Sequence, residues 1–210
     1  MRYLLLVIVF LIAACTTTEQ GEKDQEEVQE EIQFADPNLE AVIRKAIAKP
    51  KGSILKPDLE GLRELGSECE RITDLSGLEH CINLQVLYLG FHQISDISPL
   101  SGLTNLKQLD LAGNQINDIN PLGRLTNLQV LDLAGNQIND LSPLSHLTSL
   151  KWLDLTGNQI SDISSLIENS GISRGDKINL KLNPLNDEAY EVHIPTLQQR
   201  GVIVLFDAKP

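Results

Sequence analysis

The sequence predicts an α/β solenoid, in which one short coil of chain stacks on the next. A 22-residue period runs through the middle of the chain, and Asn114, Asn136 and Asn158 recur at this spacing. Within each period, leucines alternate with other residues in the way that is typical of a short strand with one buried face. A unit of this length cannot bury its own leucines, so successive units must share one core.

Residues 128–147 illustrate a single unit. The alternation of Leu131 and Leu133 predicts a strand, and Gly135 with Asn136 predicts the turn that ends it. The amide of Asn136 can both donate and accept hydrogen bonds, so it can satisfy backbone groups that the turn leaves unpaired. We therefore expect a ladder of stacked asparagines, built from Asn114, Asn136, Asn158 and Asn183.

The pattern L-x-x-L-x-L-x-x-N-x-I at this period resembles the leucine-rich repeats of bacterial internalin-type proteins. The resemblance implies a right-handed solenoid with a parallel sheet on its concave face and 3₁₀-like segments on its convex face. Five units begin at Leu62, Leu84, Leu106, Leu128 and Leu150. A sixth unit, near Ile178, follows after an insertion of three residues. His92 replaces the ladder asparagine, where we expect a local irregularity, and Ser165 replaces the convex proline.

An N-terminal cap is predicted at residues 34–66, overlapping the start of the repeats at 62–185, because an uncapped solenoid end would expose the shared core. Asp36 and Pro37 favour the start of a helix. The apolar face of this helix is expected to comprise Leu39, Val42, Ile43, Ala46 and Ile47. A second short helix is expected from Pro57 to Leu65.

A C-terminal cap is predicted at residues 186–210. Its helix is expected from Asn186 to Gln199, with a break or kink at Pro195. Gly201 favours the end of this helix, and Val202 to Phe206 predicts a closing strand. Both caps are interpreted as protection for the ends of the core.

The first fifteen residues have the features of an export signal. Arg2 precedes a continuous apolar run from Leu4 to Ala14, which is too short to span a bilayer comfortably. The run ends at Cys15 and resembles the lipobox of bacterial lipoproteins, which implies lipidation of that cysteine. An ordinary secretory signal is the alternative. Residues 16–33 contain seven acidic residues and one lysine, which predicts an acidic flexible linker between lipid and domain.

The composition excludes several classes of function. A formal net charge of −12 argues against a nucleic-acid partner. None of the four histidines falls in a catalytic or metal-binding pattern, and no phosphate-binding glycine loop occurs. We therefore expect no catalysis, no cofactor and no metal, with an enzyme built from scattered residues as the alternative. A disulfide between Cys69 and Cys81 is one alternative for these cysteines. The other is a buried thiol at Cys81, because the repeat register places this residue inward.

The concave face is the candidate binding site, because its outward strand positions are not needed for the core. Tyr88 and Trp152 are large aromatic residues of the kind enriched at binding hot spots, although incidental aromatic side chains are the alternative. A protein or peptide ligand is expected to contact Val86, Tyr88, Phe91, Gln108, Asp110, Asp132, Trp152 and Asp154.

Three of these residues, Asp110, Asp132 and Asp154, are predicted to form an acidic column with like charges about 4.8 Å apart. A basic partner would relieve their repulsion, and Lys107 and Lys151 could also offset it. The alternative is that such a column is a general property of near-identical repeats.

The sequence therefore predicts a membrane-tethered, non-catalytic module that binds a protein or peptide at the bacterial cell envelope. A structural envelope lipoprotein, or an adhesin-like surface protein without a specific peptide ligand, is the alternative. Six strands would present roughly 300 Å², which is below the roughly 800 Å² that each partner contributes to a standard interface. We expect a monomer, and Thr16 after the cysteine favours the outer membrane or cell surface over the inner membrane.

Overall fold

The computed structural model describes residues 31–67 and 71–209, which form an N-terminal cap, a stack of coils and a C-terminal cap. The N-terminal cap consists of strand β1 (Glu31–Ile32), helix α1 (Pro37–Ala46), strand β2 (Ile54–Leu55) and the one-turn helix α2 (Lys56–Leu59). Strands β1 and β2 pair antiparallel, and Ile32 is buried. Strand β1 therefore lies within the predicted linker, residues 16–33, whereas Cys15 lies outside the described residues.

Helix α1 starts where the sequence predicts. The Asp36 carboxylate accepts hydrogen bonds from the backbone N–H groups of Asn38 and Leu39, and Pro37 occupies the first turn, where its missing N–H costs nothing. Leu39, Val42 and Ile43 are buried against the first coil. Ile47 is partly buried and packs against the core as predicted, whereas Ala46 is exposed and does not belong to the buried face.

The predicted second helix at residues 57–65 is wrong in its extent. Helix α2 ends at Leu59, and the chain then enters strand β3 (Glu64–Gly66). Leu65 pairs in register with Leu87 of the next coil, so this segment already follows the repeat. Strand β3 pairs with β4 over Glu64–Gly66, which a helix continued through these residues could not do.

Seven strands form a single parallel sheet in chain order. After β3 they are β4 (Val86–Tyr88), β5 (Gln108–Asp110), β6 (Val130–Asp132), β7 (Trp152–Asp154), β8 (Lys177–Asn179) and β9 (Ile203–Leu205). The closing strand predicted at the C-terminus is thus part of the sheet, which has one strand more than the six expected.

The convex side consists of short helical turns. Three of them are 3₁₀ helices that begin with a proline in the first turn, at Ser98–Leu100, Asn120–Arg124 and Ser142–His146. In the following coil Ser165 replaces this proline, and the three-residue insertion accommodates the α-helix α3 (Ser164–Glu168). The fold is therefore the solenoid that the sequence predicts, with a parallel sheet opposite 3₁₀ turns.

The leucines of successive coils share one continuous core. The central residue of each strand is buried, while its two neighbours in the strand are partly or fully exposed. Because side chains alternate across a strand, burial of the central leucines fixes which residues face outward. The buried central residues are Leu65, Leu87, Leu109, Leu131, Leu153, Ile178 and Val204.

The C-terminal cap contains a π-helical turn, Ala189–His193, followed by helix α4 (Ile194–Gln199). Pro195 stands in the first turn of α4, so the predicted break at this residue is a change of helix type. Tyr190 and Phe206 pack edge to face with ring centroids 6.3 Å apart. Among the described residues, no helix is long and apolar enough to cross a membrane.

Candidate partner-binding face

The outward residues of the sheet lie in two rows that run across the coils. The first row aligns Glu64, Val86, Gln108, Val130, Trp152, Lys177 and Ile203. The second row aligns Gly66, Tyr88, Asp110, Asp132, Asp154, Asn179 and Leu205. All the predicted contact residues except Phe91 therefore belong to one continuous surface, and Phe91 lies just beyond the end of β4.

The aromatic residues of this face differ in exposure. Tyr88 is 41% exposed, and its hydroxyl donates a 2.8 Å hydrogen bond to Oε1 of Gln108 in the next coil. Trp152 was expected to be exposed, but its side chain is partly buried. Phe91 is 85% exposed, the largest value among the exposed large hydrophobic residues of the described chain. Tyr88 and Phe91 thus offer the most open aromatic surface.

The acidic column has a structural role in addition to any binding role. Oδ1 of each aspartate accepts a hydrogen bond from the backbone N–H two residues along the chain, at 2.9 Å for Asp110, 3.0 Å for Asp132 and 2.9 Å for Asp154. These bonds fix the backbone where each strand leaves the sheet. Asp154 also accepts a hydrogen bond from the Asn179 amide, whereas Asp110 and Asp132 each keep one carboxylate oxygen without a hydrogen bond to any described residue.

The centre of the column is electrostatically unfavourable for a carboxylate. Burial raises the pKa of Asp132, and the negative charges of Asp110 and Asp154 raise this pKa further, against the opposing effect of the hydrogen bond from Ala134. The predicted lysine partners do not relieve this repulsion. Lys107 donates to the side chain of Gln85, and the Lys151 ammonium lies 3.4 Å from the Asp176 carboxylate instead.

The asparagine ladder lies at the edge of the sheet, inside the turns. Oδ1 of Asn136 accepts from the N–H of Ile116 at 3.0 Å, and its Nδ2 donates to the carbonyls of Leu111 and Leu133, each at 3.0 Å. Asn114, Asn158 and Asn183 make the corresponding bonds in their own coils. Each amide therefore ties one coil to the one before it.

His92 takes the ladder position in the coil of β4. Its Nδ1 accepts a long 3.5 Å hydrogen bond from the N–H of Ile72, while its buried Nε2 has no partner among the described residues. An imidazole places its two nitrogens too differently from an amide to reproduce all the bonds of asparagine. The irregularity expected at this position is therefore a missing hydrogen bond.

Among residues 31–67 and 71–209, no group of three or more His, Cys, Asp or Glu side chains could hold a metal ion. Cys81 is a free, buried thiol, and burial raises its pKa to about 12. Such a thiol is not a reactive nucleophile at neutral pH. Cys69, its candidate disulfide partner, lies outside the described residues.

Three exposed apolar residues near the C-terminal end of this face were missed in the sequence. Ile203 and Leu205 extend the two outward rows onto β9, and Leu182 lies in the turn after β8 with 70% of its surface exposed. Alignment of Asn183 with Asn158 places Leu182 at the position of Gly157, which is the signal that could have identified it.

Comparison with known families supports this architecture. Residues 82–124 and 126–168 match the family model described as Leucine Rich repeats, with two copies. The fold is that of a leucine-rich-repeat solenoid and resembles the folds of bacterial internalins. Leucine-rich-repeat domains of the internalin type are typically non-catalytic, and leucine-rich repeats generally bind proteins.

Solved structures show the same fold. An internalin (inlF) from Listeria monocytogenes is 28% identical with a TM-score of 0.64, over 82% of this chain and 56% of the internalin. A leucine-rich-repeat protein from Leptospira interrogans is 23% identical with a TM-score of 0.60, over 72% of this chain and 38% of its own, and this likeness shows the fold alone. This chain therefore spans little more than half the length of the internalin. Comparison with curated proteins gave no match.

Proposed function

We propose that this chain is a membrane-tethered, non-catalytic module that binds a protein or peptide at the bacterial cell envelope through its concave face. The observation that carries the proposal is Tyr88, an aromatic residue that the core does not require and that remains 41% exposed on the sheet. Its hydrogen bond to Gln108 holds the ring in one orientation before any partner arrives. Trp152 lies three strands away on the same surface, so two aromatic residues can contact one ligand.

The size of the face favours a narrow partner. Seven strands spaced about 4.8 Å apart span roughly 29 Å, and about 10 Å of each strand is outward, which gives roughly 300 Å². A standard interface needs roughly 800 Å² from each partner. A peptide, or the edge of a larger protein that also touches the neighbouring turns, fits this area.

Substitution of the two aromatic residues tests the proposal. We expect Tyr88→Ala combined with Trp152→Ala to weaken capture of envelope proteins at least tenfold, while the melting temperature stays nearly unchanged because neither residue fills the core. Tyr88→Phe keeps the ring and should retain binding, and Ile82→Ala removes an exposed apolar residue outside the face as a matched control. A drop in melting temperature with unchanged capture would contradict a binding role for these residues.

The lipid anchor at Cys15 is part of the proposal. Phase partition in a cloud-point detergent distinguishes a lipoprotein signal from an ordinary secretory signal at the N-terminus. We expect the wild-type protein in the detergent phase, because acyl chains on a lipidated Cys15 would attach it stably to a membrane. Cys15→Ala removes the site of lipidation and should move the protein to the aqueous phase. An ordinary secretory signal would instead leave both proteins in the aqueous phase.

A further inference from the structure

A row of turn residues with left-handed backbone follows the strands. Three of them are glycines, Gly113, Gly135 and Gly157, with φ angles of +65°, +66° and +67°. Within residues 71–209, Phe91 and Leu182 stand at the two ends of the row, with φ angles of +64° and +58°. We call these five residues the glycine row. A side chain at such angles costs free energy that glycine avoids, so the two non-glycine residues require an explanation.

The core does not provide that explanation. Phe91 is 85% exposed and Leu182 is 70% exposed, so neither recovers its backbone cost by burial. The Phe91 ring lies over Gly113, because a Cβ atom built there would stand 2.7 Å from the phenylalanine Cδ1. Gly135 and Gly157 contribute no side chain at all. The result is a stretch without side chains at Gly135 and Gly157, with an exposed apolar side chain at each end.

Backbone hydrogen bonds keep the row continuous. Phe91 N–H donates to the carbonyl of Ala112 at 2.7 Å, and Gly113 and Gly135 make the same bond to the next coil at the same distance. Gly157 N–H donates to the Lys181 carbonyl at 2.9 Å. The row therefore crosses four coil-to-coil steps of about 4.8 Å, or roughly 19 Å. An extended chain covers that distance in about six residues at about 3.3 Å each.

The chemistry on either side of the row defines its occupant. On the sheet side lies the acidic column, in which Asp110 and Asp132 each keep one carboxylate oxygen without a hydrogen bond to a described residue. On the other side, two positions further along each coil, exposed glutamine amides are available to hydrogen-bond a peptide backbone. These amides belong to Gln115, Gln137 and Gln159. Carboxylates beside amides suit a polypeptide with basic side chains.

We propose that the glycine row binds an extended basic segment of a partner protein, which lies across the coils with apolar side chains against Phe91 and Leu182. One or two cationic side chains of that segment face the acidic column. Alternate residues of an extended chain point the same way, so apolar residues at i and i+6 and basic residues at i+2 and i+4 meet this pattern. The inference deepens the proposed binding function and rests on it.

Two synthetic heptapeptides test the proposal. Leu-Ser-Lys-Ser-Lys-Ser-Leu carries the pattern, and Leu-Ser-Glu-Ser-Glu-Ser-Leu reverses its charge. Binding is followed by amide chemical shifts and by the fluorescence of Trp152, the single tryptophan of the chain. We expect the lysine peptide to bind at least tenfold more tightly than the glutamate peptide. Equal binding of the two peptides, or no binding of the lysine peptide, would overturn the proposal.

Glycine substitutions locate the site without unfolding it. Phe91→Gly with Leu182→Gly restores the residue that the other coils carry, so we expect an unchanged or higher melting temperature with at least a tenfold loss of lysine-peptide affinity. Ile82→Ala and Val192→Ala remove comparably exposed apolar residues elsewhere and should leave affinity unchanged. Undiminished binding by the double glycine variant would overturn the inference.

The envelope partner separates this inference from the wider function. If that partner depends on Tyr88 and Trp152 but not on Phe91 and Leu182, the glycine row is not its site, while concave-face binding still stands. If capture depends on none of the four residues, both proposals fail. Dependence on Phe91 and Leu182, together with the charge preference of the peptides, supports the inference.

Discussion

The Asn136 side chain joins its coil to the preceding one through two hydrogen bonds, with the N–H of Ile116 and the carbonyl of Leu111, and it also donates to the carbonyl of Leu133 in its own coil. It is buried, so water cannot replace any of its partners. The N–H of Ile116 therefore depends on this one amide, whereas the carbonyls of Leu111 and Leu133 also accept from Asn114 and Asn158. The same dependence recurs in the other coils of the ladder, which explains why a polar residue is kept next to a leucine core.

Replacement of Asn136 by alanine should cost about 2–4 kcal/mol of unfolding free energy, because it leaves the buried N–H of Ile116 unsatisfied at about 1–3 kcal/mol and also removes the hydrogen bonds from the amide to the carbonyls of Leu111 and Leu133. Urea denaturation measures the loss. Asn139→Ala, at an exposed position three residues away, is the control and should change stability by less than about 0.5 kcal/mol. Equal effects at both positions would contradict a ladder held by hydrogen bonds.

Asp132→Asn should stabilise the protein at neutral pH by up to about 1 kcal/mol, because the amide keeps an acceptor for Ala134 and removes the like charge between Asp110 and Asp154. The folded-state pKa of Asp132 is raised, so the wild type gains stability as the pH falls through that pKa. The advantage of the variant should therefore shrink below the raised pKa and vanish below the ordinary aspartate value. A constant advantage from pH 7 to pH 3 would contradict this account.

Helix α1 is attached to the first coil by its capping residue. One oxygen of Asp36 caps the helix, while the other accepts hydrogen bonds from the Thr73 N–H at 2.7 Å and the Thr73 hydroxyl at 3.1 Å. Burial tends to raise the pKa of Asp36, but the hydrogen bonds from Thr73, Asn38 and Leu39 outweigh burial and lower it. A single carboxylate thus both starts the cap helix and positions it on the core.

Asp36→Ala should cost about 1–3 kcal/mol, the sum of a lost cap and a lost tie to the first coil. Because the folded-state pKa of Asp36 is lowered, its contribution is complete above the unfolded value near 3.8 and is lost as the pH falls through the lowered value. Denaturation at pH 7 and at pH 2 should show a large difference from wild type at the first and a small one at the second. Asp187→Ala, which removes a carboxylate 81% exposed, should show little difference at either pH.

At the scale of the whole molecule, each coil contacts only its neighbours. The element order of the sheet is the chain order from β3 to β9, and helices of the two caps contact its end strands, α1 at β3 and α4 at β9. Stability in such an array is the sum of the coils and of their shared interfaces. Damage at one end should therefore remain local until the neighbouring coils lose their support.

Leu197→Ala, in the buried face of α4, should lower stability by about 2–5 kcal/mol through the cavity it leaves. Hydrogen exchange should show faster amide exchange in β8 and β9, with little change in β4. Leu39→Ala in α1 is the matched variant at the other end and should reverse this pattern. Uniform acceleration in both variants would indicate that the coils unfold as one unit.

The repeat could be predicted from the sequence because one pattern reports on many coils. Because side chains alternate across a strand, burial of Leu131 means that Asp132 faces outward, and the same alternation holds in every unit. Features that occur once could not be predicted in this way. The pairing of β1 with β2 joins segments with no shared pattern, and the partial burial of Trp152 depends on side chains of neighbouring coils. Leu182 could not be recognised from the 22-residue spacing, because a three-residue insertion precedes it and shifts its coil out of the period.

The strict register of the sheet also limits how this surface can evolve. Every coil adds one residue to each row, so duplication or deletion of a whole 22-residue unit by unequal crossing-over would leave both rows intact. The separation between Tyr88 and Trp152 would then change by one coil spacing, about 4.8 Å. Ligand length in descendants of this protein should therefore vary in discrete increments, whereas side-chain identity can drift independently at each position.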